Sequence, residues 1–114
     1  MKTLLILNDP PYGTERSYNG LRLAKALLAE EVEVIVFLMA DAVGCARAGQ
    51  KVPEGYYNLE LMLGNIAKKG SVLLCGTCMD ARGLKDDDVI VGAIRSRMSD
   101  LATLTIESDQ VLVF

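Results

Sequence analysis

Apolar and polar positions alternate between two rhythms along this chain, and the switches between them mark its elements. Lys2 to Asn8 is dominated by Leu and Ile and stops at Asp9-Pro10-Pro11-Tyr12-Gly13, which predicts a strand buried on both faces followed by a turn. Thr14 is placed to cap the next helix and Glu15 suits its first turn. Tyr18, Leu21, Ala24, Leu27 and Leu28 then fall at helical spacing as far as about Glu30. Val32 to Leu38 is a second apolar run rich in β-branched residues, the signature of a parallel strand covered by helices on both sides. A strand, a helix and a strand in this order imply a right-handed crossover.

Asp41 to Ala48 reads as a short helix and Gly49 to Tyr57 as a loop containing Pro53 and Gly55. A helix follows from Asn58, carrying Leu59, Met62, Leu63 and Ile66, and ends at Gly70. Ser71 to Leu74 supplies a third strand. Between Lys85 and Arg97 the pattern is least regular: Asp86-Asp87-Asp88 can open a short helix, and Gly92 to Arg97 a fourth strand. Ser99 and Asp100 are expected to cap a helix with Leu101, Leu104 and Ile106 facing inward, and Gln110 to Phe114 closes the chain as a fifth strand. No repeat, low-complexity tract or linker divides residues 1 to 114, so one α/β domain is expected.

Composition narrows what such a domain does. Of 114 residues, 51% are apolar and 24% charged, enough for one packed core. A net charge of −3, without a Lys or Arg block, argues against nucleic acid or an anionic membrane as partner. The longest uninterrupted apolar run, Val34 to Ala40, falls well short of the roughly 20 residues a membrane-spanning helix needs. Leu4 to Leu7 is too short for a secretory signal core, so a cytoplasmic location is the expectation, and three cysteines in such a chain are expected to be reduced thiols.

The chemistry concentrates at Leu74-Cys75-Gly76-Thr77-Cys78, where the third apolar run ends. Histidine is absent from the chain, which excludes Ser-His-Asp and Cys-His mechanisms within it. Strand-end positions in open parallel sheets are where sites form. A thiol there gains acidity if it meets the free N–H groups of a helical turn, and Arg82 offers a nearby cation. The stretch Cys75-Gly76-Thr77 is permissive for close approach, because Gly76 has no side chain to block a sulfur-bearing partner, and Thr77 is a supporting candidate beside it. Three-residue spacing puts Cys75 and Cys78 on one helical face.

Other readings of these residues stay open. Free cysteine is often simply a small core residue, and that reading is favoured for Cys45 in Val43-Gly44-Cys45-Ala46. Structural zinc needs four ligands where this chain has three cysteines and no histidine, and nothing else implies a metal or cofactor. A thioredoxin-type assignment lacks the flanking aromatics and strand order. Asn8, Asp9 and Tyr12 follow the first strand and are candidate cleft-lining residues, although two prolines remove the donors a phosphate loop needs. Tyr56 and Tyr57 are candidates for a lid over the cysteines. Asp86 to Asp88 reads as a charged surface turn.

With these residues assembled, the chain resembles the DsrE/DsrF-like family, which includes the TusD-type sulfur-relay subunits. The resemblance runs almost end to end and rests on four segments. They are Tyr12-Gly13-Thr14, Ala24-Lys25-Ala26-Leu27-Leu28, Cys75 with Arg82-Gly83 behind it, and Ser108-Asp109-Gln110-Val111-Leu112-Val113-Phe114. It implies a three-layer α/β/α sandwich around a mostly parallel five-stranded sheet, assembled into trimers or hexamers. It also implies a cysteine, matching Cys75, that carries persulfide sulfur between donor and acceptor proteins. This chain departs from the relay pattern at Cys78, where the TusD subunit has a small apolar residue. The expected function is therefore sulfane-sulfur transfer on Cys75 with Cys78 assisting or resolving. The alternatives are a Cys75–Cys78 dithiol switch or reductase, and a non-catalytic oligomeric binding module.

Overall fold

The computed structural model describes residues 1–114. Its first strand, β1 (Lys2–Leu7), leads into α1 (Arg16–Ala29), and β2 (Glu33–Leu38) follows. A 3-10 helical segment (Ala40–Ala46) and α2 (Leu59–Ala67) connect to β3 (Ser71–Cys75). The short α3 (Gly76–Ala81), a 3-10 turn (Asp86–Asp88), β4 (Ala93–Ser96), α4 (Met98–Glu107) and β5 (Gln110–Val113) complete the chain. All four strand pairings are parallel, in the order β4-β3-β2-β1-β5.

That order dictates the layers. From β1 to β4 every connection steps the same way across the sheet, whereas β4 to β5 returns past all of them to the far edge. Right-handed crossovers then place α1 and α2 on one face and α4 on the other. Side-chain register agrees: a Cβ on Gly20 of α1 would lie 2.5 Å from Leu7 Cδ2, so α1 crosses the face that Leu7 presents. A side chain at position 20 would have to displace the Leu7 side chain and press on the Phe114 ring.

The core follows the apolar runs. Leu4, Leu5 and Leu7 of β1 and Val34 to Leu38 of β2 are buried on both faces, because these two strands are central and have helices above and below. Leu21 and Ala24 of α1, Leu59, Leu63 and Ile66 of α2, and Leu101 of α4 close over them. No helix is long and apolar enough to cross a membrane.

Several local expectations shift. The helix after the first turn begins at Arg16 rather than on a Thr14 cap. Thr14 instead donates to the Asp9 carboxylate at 2.6 Å while accepting the Arg16 N–H at 3.3 Å. The segment expected as a helix from Asp41 to Ala48 is a 3-10 helix ending at Ala46. The last helix starts earlier than Ser99 and Asp100 suggested. Arg97 is its N-cap, and Asp100, inside the first turn, reaches back to accept the Arg97 N–H at 3.1 Å. Ile106, expected inward, is 84% exposed: it falls off the stripe that Leu101 and the half-buried Leu104 define. The fourth strand does form, as the four residues Ala93–Ser96 along the edge of β3.

Candidate functional site at the end of the third strand

Apolar residues of β3 run inward until the chain must turn, and Cys75 sits at that turn. It is both the last residue of β3 and the N-cap of α3, with extended backbone torsions and only 8% exposure. N-cap positions favour a side chain that accepts one of the free N–H groups of the first turn, and sulfur takes that role here. The Cys78 N–H donates to Cys75 Sγ at 3.3 Å. Cys78 itself, one turn on, is half-buried, and all three cysteines are free thiols.

Two opposing effects act on the Cys75 thiol. Burial is the larger and raises its pKa, reinforced by the neighbouring Cys78 side chain, which favours the protonated form. Backbone N–H donation from Cys78 and Thr77 pulls the other way without prevailing. The expected acidification by the helical turn is therefore present but outweighed, so Cys75 rests as a thiol with thiolate-stabilising donors already in place.

Gly76 plays a different part from the one its sequence suggested. A Cβ there would lie 3.0 Å from Arg95 Nη1 and 3.2 Å from the Ser96 carbonyl oxygen. The clearance is filled by Arg95 of β4, leaving no space in that direction for an incoming partner. Arg95 Nη1 donates to the Gly76 carbonyl at 3.1 Å and to Asp80 Oδ1 at 3.0 Å, while Nε donates to Asp86 Oδ1 at 3.1 Å. One guanidinium thus fastens the cysteine turn, α3 and the acidic turn to the sheet edge. Sequence reasoning missed Arg95; its only signal was a cation in register with Leu74, one position before Cys75 pairs with Ser96.

Arg82 does not turn back on the thiol. Its Nε and Nη2 each meet Asp41 Oδ1 at 2.9 Å, and Nη1 donates to the Cys78 carbonyl at 3.1 Å. Thr77 is exposed beside Cys75. Asp86 is committed to Arg95 and Asp88 accepts the Lys85 N–H at 2.8 Å, so the aspartate turn is a structural device. No group of three or more potential metal ligands converges anywhere.

The candidate cleft residues divide between other sites. Asn8 Nδ2 donates to the Phe114 carbonyl, joining β1 to the carboxyl end of the chain. The Asp9 carbonyl accepts from Ser17 Oγ at 2.7 Å and from Cys45 Sγ at 3.9 Å, so this loop serves Cys45. Burial pushes the Cys45 thiol up to about 12. Tyr12 donates its hydroxyl to Gln50 and accepts the Leu59 N–H at 3.2 Å, pinning the start of α2. Tyr57 stacks on Tyr18 of α1 with ring centroids 3.9 Å apart and lies 5.9 Å from Tyr12. Tyr56 and Tyr57 line a groove between α1 and α2, and no hydrogen bond joins either to Cys75 or Cys78. The expected lid is instead one wall of that groove.

A five-stranded all-parallel sheet with helices on both faces defines a recognisable class. The model of the DsrE/DsrF-like family matches residues 1–114, and the chain belongs to that family. It is 41% identical over 114 residues to an uncharacterized protein of Methanocaldococcus jannaschii, covering all of both chains. It is 40% identical over 116 residues to Protein YchN of Escherichia coli K12, covering 99% of this chain and 98% of that one. The crystal structure of E. coli ychN protein superposes with a TM-score of 0.93 at 41% identity, covering 100% of this chain and 99% of the other. A protein of unknown function from Methanobacterium thermoautotrophicum shares the fold, with a TM-score of 0.78 at 14% identity, covering 99% and 97%.

Proposed function

We propose that this protein accepts and passes on sulfane sulfur, held as a persulfide on Cys75. The observation that carries the reading is the capped thiol itself: Cys75 Sγ at a strand end, receiving the Cys78 N–H at 3.3 Å, with a second thiol one turn away. Family membership supports a sulfur-related role. In the proposed step the Cys75 thiolate attacks the outer sulfur of a donor persulfide. A Cys75 S–S bond forms, the donor S–S bond breaks, and the donor leaves as its thiolate. The N–H donors that meet Cys75 Sγ stabilise the thiolate before attack and again when sulfur departs to an acceptor thiolate.

Cys78 has a defined part in this scheme. Its thiolate can attack the inner sulfur of a Cys75 persulfide, forming a Cys75–Cys78 disulfide and expelling hydrosulfide. Intact-mass measurement after exposure to a small-molecule persulfide donor tests both residues. The wild-type protein is expected to gain one sulfur atom and Cys75→Ser none, while Cys78→Ser keeps the adduct longer than wild type. Equal sulfur gain by wild type and Cys75→Ser would refute the assignment.

The adjacency of the two side chains also favours a second reading, a dithiol switch that cycles a Cys75–Cys78 disulfide. Thiol titration across cytosolic glutathione ratios separates the two, since a pure carrier stays reduced throughout. Oligomerisation belongs to the proposal as well. Ile94 and Val113 occupy register positions on the α4 face of the sheet and are 61% and 66% exposed, and Met98 of α4 is 61% exposed. Apolar side chains left open in this way are what subunit packing covers. Sedimentation velocity is expected to show an assembly larger than one chain that Ile94→Asp disrupts.

A further inference from the structure

The other prominent feature lies away from the cysteines. A concavity of about 930 Å³ runs between α1 and α2. Along α1 its wall is set by Tyr18, Arg22, Lys25 and Ala29, and along α2 by Leu61 and Asn65, with Lys69 just beyond the end of that helix. These positions recur every three or four residues, so the groove follows both helix axes. From Tyr18 to Ala29 it is ~16 Å long at the rise of an α-helix, or about three turns.

Its charge is one-sided. Arg22, Lys25, Lys68 and Lys69 line it, and no carboxylate does, in a chain that carries 15 acidic residues against 12 basic ones. None of the four groove cations makes an ion pair; outside the groove Lys2, Arg16, Arg82, Arg95 and Arg97 each meet a carboxylate, while Arg47, Lys51 and Lys85 are also unpaired. Arg22 instead lies 5.6 Å from the centroid of the Tyr18 ring and donates to the Asn19 side-chain carbonyl. Between the cations the floor is apolar and aromatic, and Tyr56 and Leu61 stand 71% and 65% exposed at the rim.

We propose that this groove docks an acidic amphipathic helix of a partner protein. Its apolar face would lie on Tyr57, Leu61 and Met62, and its carboxylates would meet the four unpaired cations. An elongated trough between two helices with apolar anchors at helical spacing fits helix-in-groove recognition. Small-molecule sites enclose most of their ligand, and a trough with its largest side chains exposed at the rim does not. The face proposed for self-association is a different one: Ile94 and Val113 lie on the α4 side of the sheet, across from this groove. The inference stands on charge and shape alone and is independent of the thiol chemistry.

The test uses the full chain and a fluorescein-labelled helical peptide of about 16 residues, long enough to hold a helix, with Leu on one face and Glu on the other. Its counterpart carries Lys for every Glu. Anisotropy titration at low salt is expected to give at least tenfold tighter binding of the acidic peptide. Lys25→Glu with Lys68→Glu should reverse the preference, and Leu61→Ala should weaken both peptides. Reversal of Lys51 and Lys85, outside the groove, should leave the affinity unchanged. Equal binding of the two peptides, no binding of either, or an equal response to the Lys51 and Lys85 reversal overturns the proposal. So does a groove reversal that alters the sedimentation coefficient of the protein alone without affecting peptide binding, because the occupant would then be a second copy of this chain.

Discussion

Cys75 and Cys45 are both buried thiols in one small core, yet their surroundings prepare them for opposite fates. Cys75 ends a strand and its sulfur is met by a donor, the Cys78 N–H at 3.3 Å. Cys45 lies fully buried in a 3-10 segment and its sulfur faces an acceptor, the Asp9 carbonyl at 3.9 Å. Burial is the largest cause at both sulfurs and raises both: Cys45, the deeper, is pushed up although the Ser17 hydroxyl and its own backbone N–H pull it down, while the rise at Cys75 is opposed by the Cys78 and Thr77 N–H groups. What separates the two is place: Cys75 lies at a strand end where the chain turns, with the half-buried Cys78 one turn on, whereas Cys45 is sealed from solvent.

The hardest test of this contrast is sulfur uptake itself. Cys75→Ser is expected to abolish it, whereas Cys45→Ala is expected to retain it in full, read by intact mass on the folded proteins. Loss of uptake in a folded Cys45→Ala protein would make the two sites functionally equal and end the comparison.

Next in size is the difference in thiol reactivity and its consequence for stability. With its pKa near 12, Cys45 exposes about 10³-fold less thiolate at neutral pH than a free cysteine, and burial blocks access besides. Alkylation by iodoacetamide under native conditions should therefore modify Cys75 and Cys78 and spare Cys45. The same shift carries a sign for folding. A raised folded-state pKa means that the native protein holds the proton longer than the unfolded chain. The stabilisation is complete below the ordinary thiol range and is lost as pH rises from about 9 toward about 12. The unfolding free energy from urea titrations should fall over that window with a limiting slope of about 1.4 kcal/mol per pH unit, and Cys45→Ala should flatten the fall.

Smaller again is the effect of Gly76→Ala. The added methyl would press on Arg95 Nη1 at 3.0 Å and on the Ser96 carbonyl at 3.2 Å, and a backbone oxygen has little freedom to retreat. A loss of about 1–3 kcal/mol is expected from crowding of this kind. Because Arg95 also holds the Gly76 carbonyl, the substitution should slow alkylation of Cys75 while leaving Cys45 protected. A destabilised variant with unchanged Cys75 reactivity would separate the turn's stability from its chemistry.

Much of the architecture was legible because it is written in apolar runs. Lys2 to Asn8, Val32 to Leu38 and Ser71 to Leu74 each mark a parallel strand, since strands buried on both faces have no polar positions to blur them. Helix starts were less legible. Thr14 and Ser99 look like caps, but local side-chain bonds to Asp9 and the reach of Asp100 back to Arg97 moved both boundaries. At the cysteine turn, the strand-end position of Cys75 could be read from the end of an apolar run. Arg95 could not, because its importance comes from strand pairing between β3 and β4, which no local pattern encodes. The tyrosines were misdirected for the same reason: loop position suggested a lid, while stacking on Tyr18 drew Tyr57 to α1.

Arg82 gives the finest test, because sequence offered it as the cation that would acidify Cys75. Its guanidinium is instead engaged by Asp41 and the Cys78 carbonyl, so its charge is largely compensated before it can act on the sulfur. With Arg82 37% exposed and Asp41 60% exposed, this is a solvent-screened pair worth about 0–1 kcal/mol. Arg82→Gln is expected to lower stability by no more than that and to leave the pH midpoint of Cys75 alkylation where it is in wild type. The thiol then owes its thiolate stabilisation to backbone N–H groups alone. An upward move of that midpoint in Arg82→Gln would show instead that a side-chain cation acts on Cys75, and the contrast with Cys45 would need a charge added to it.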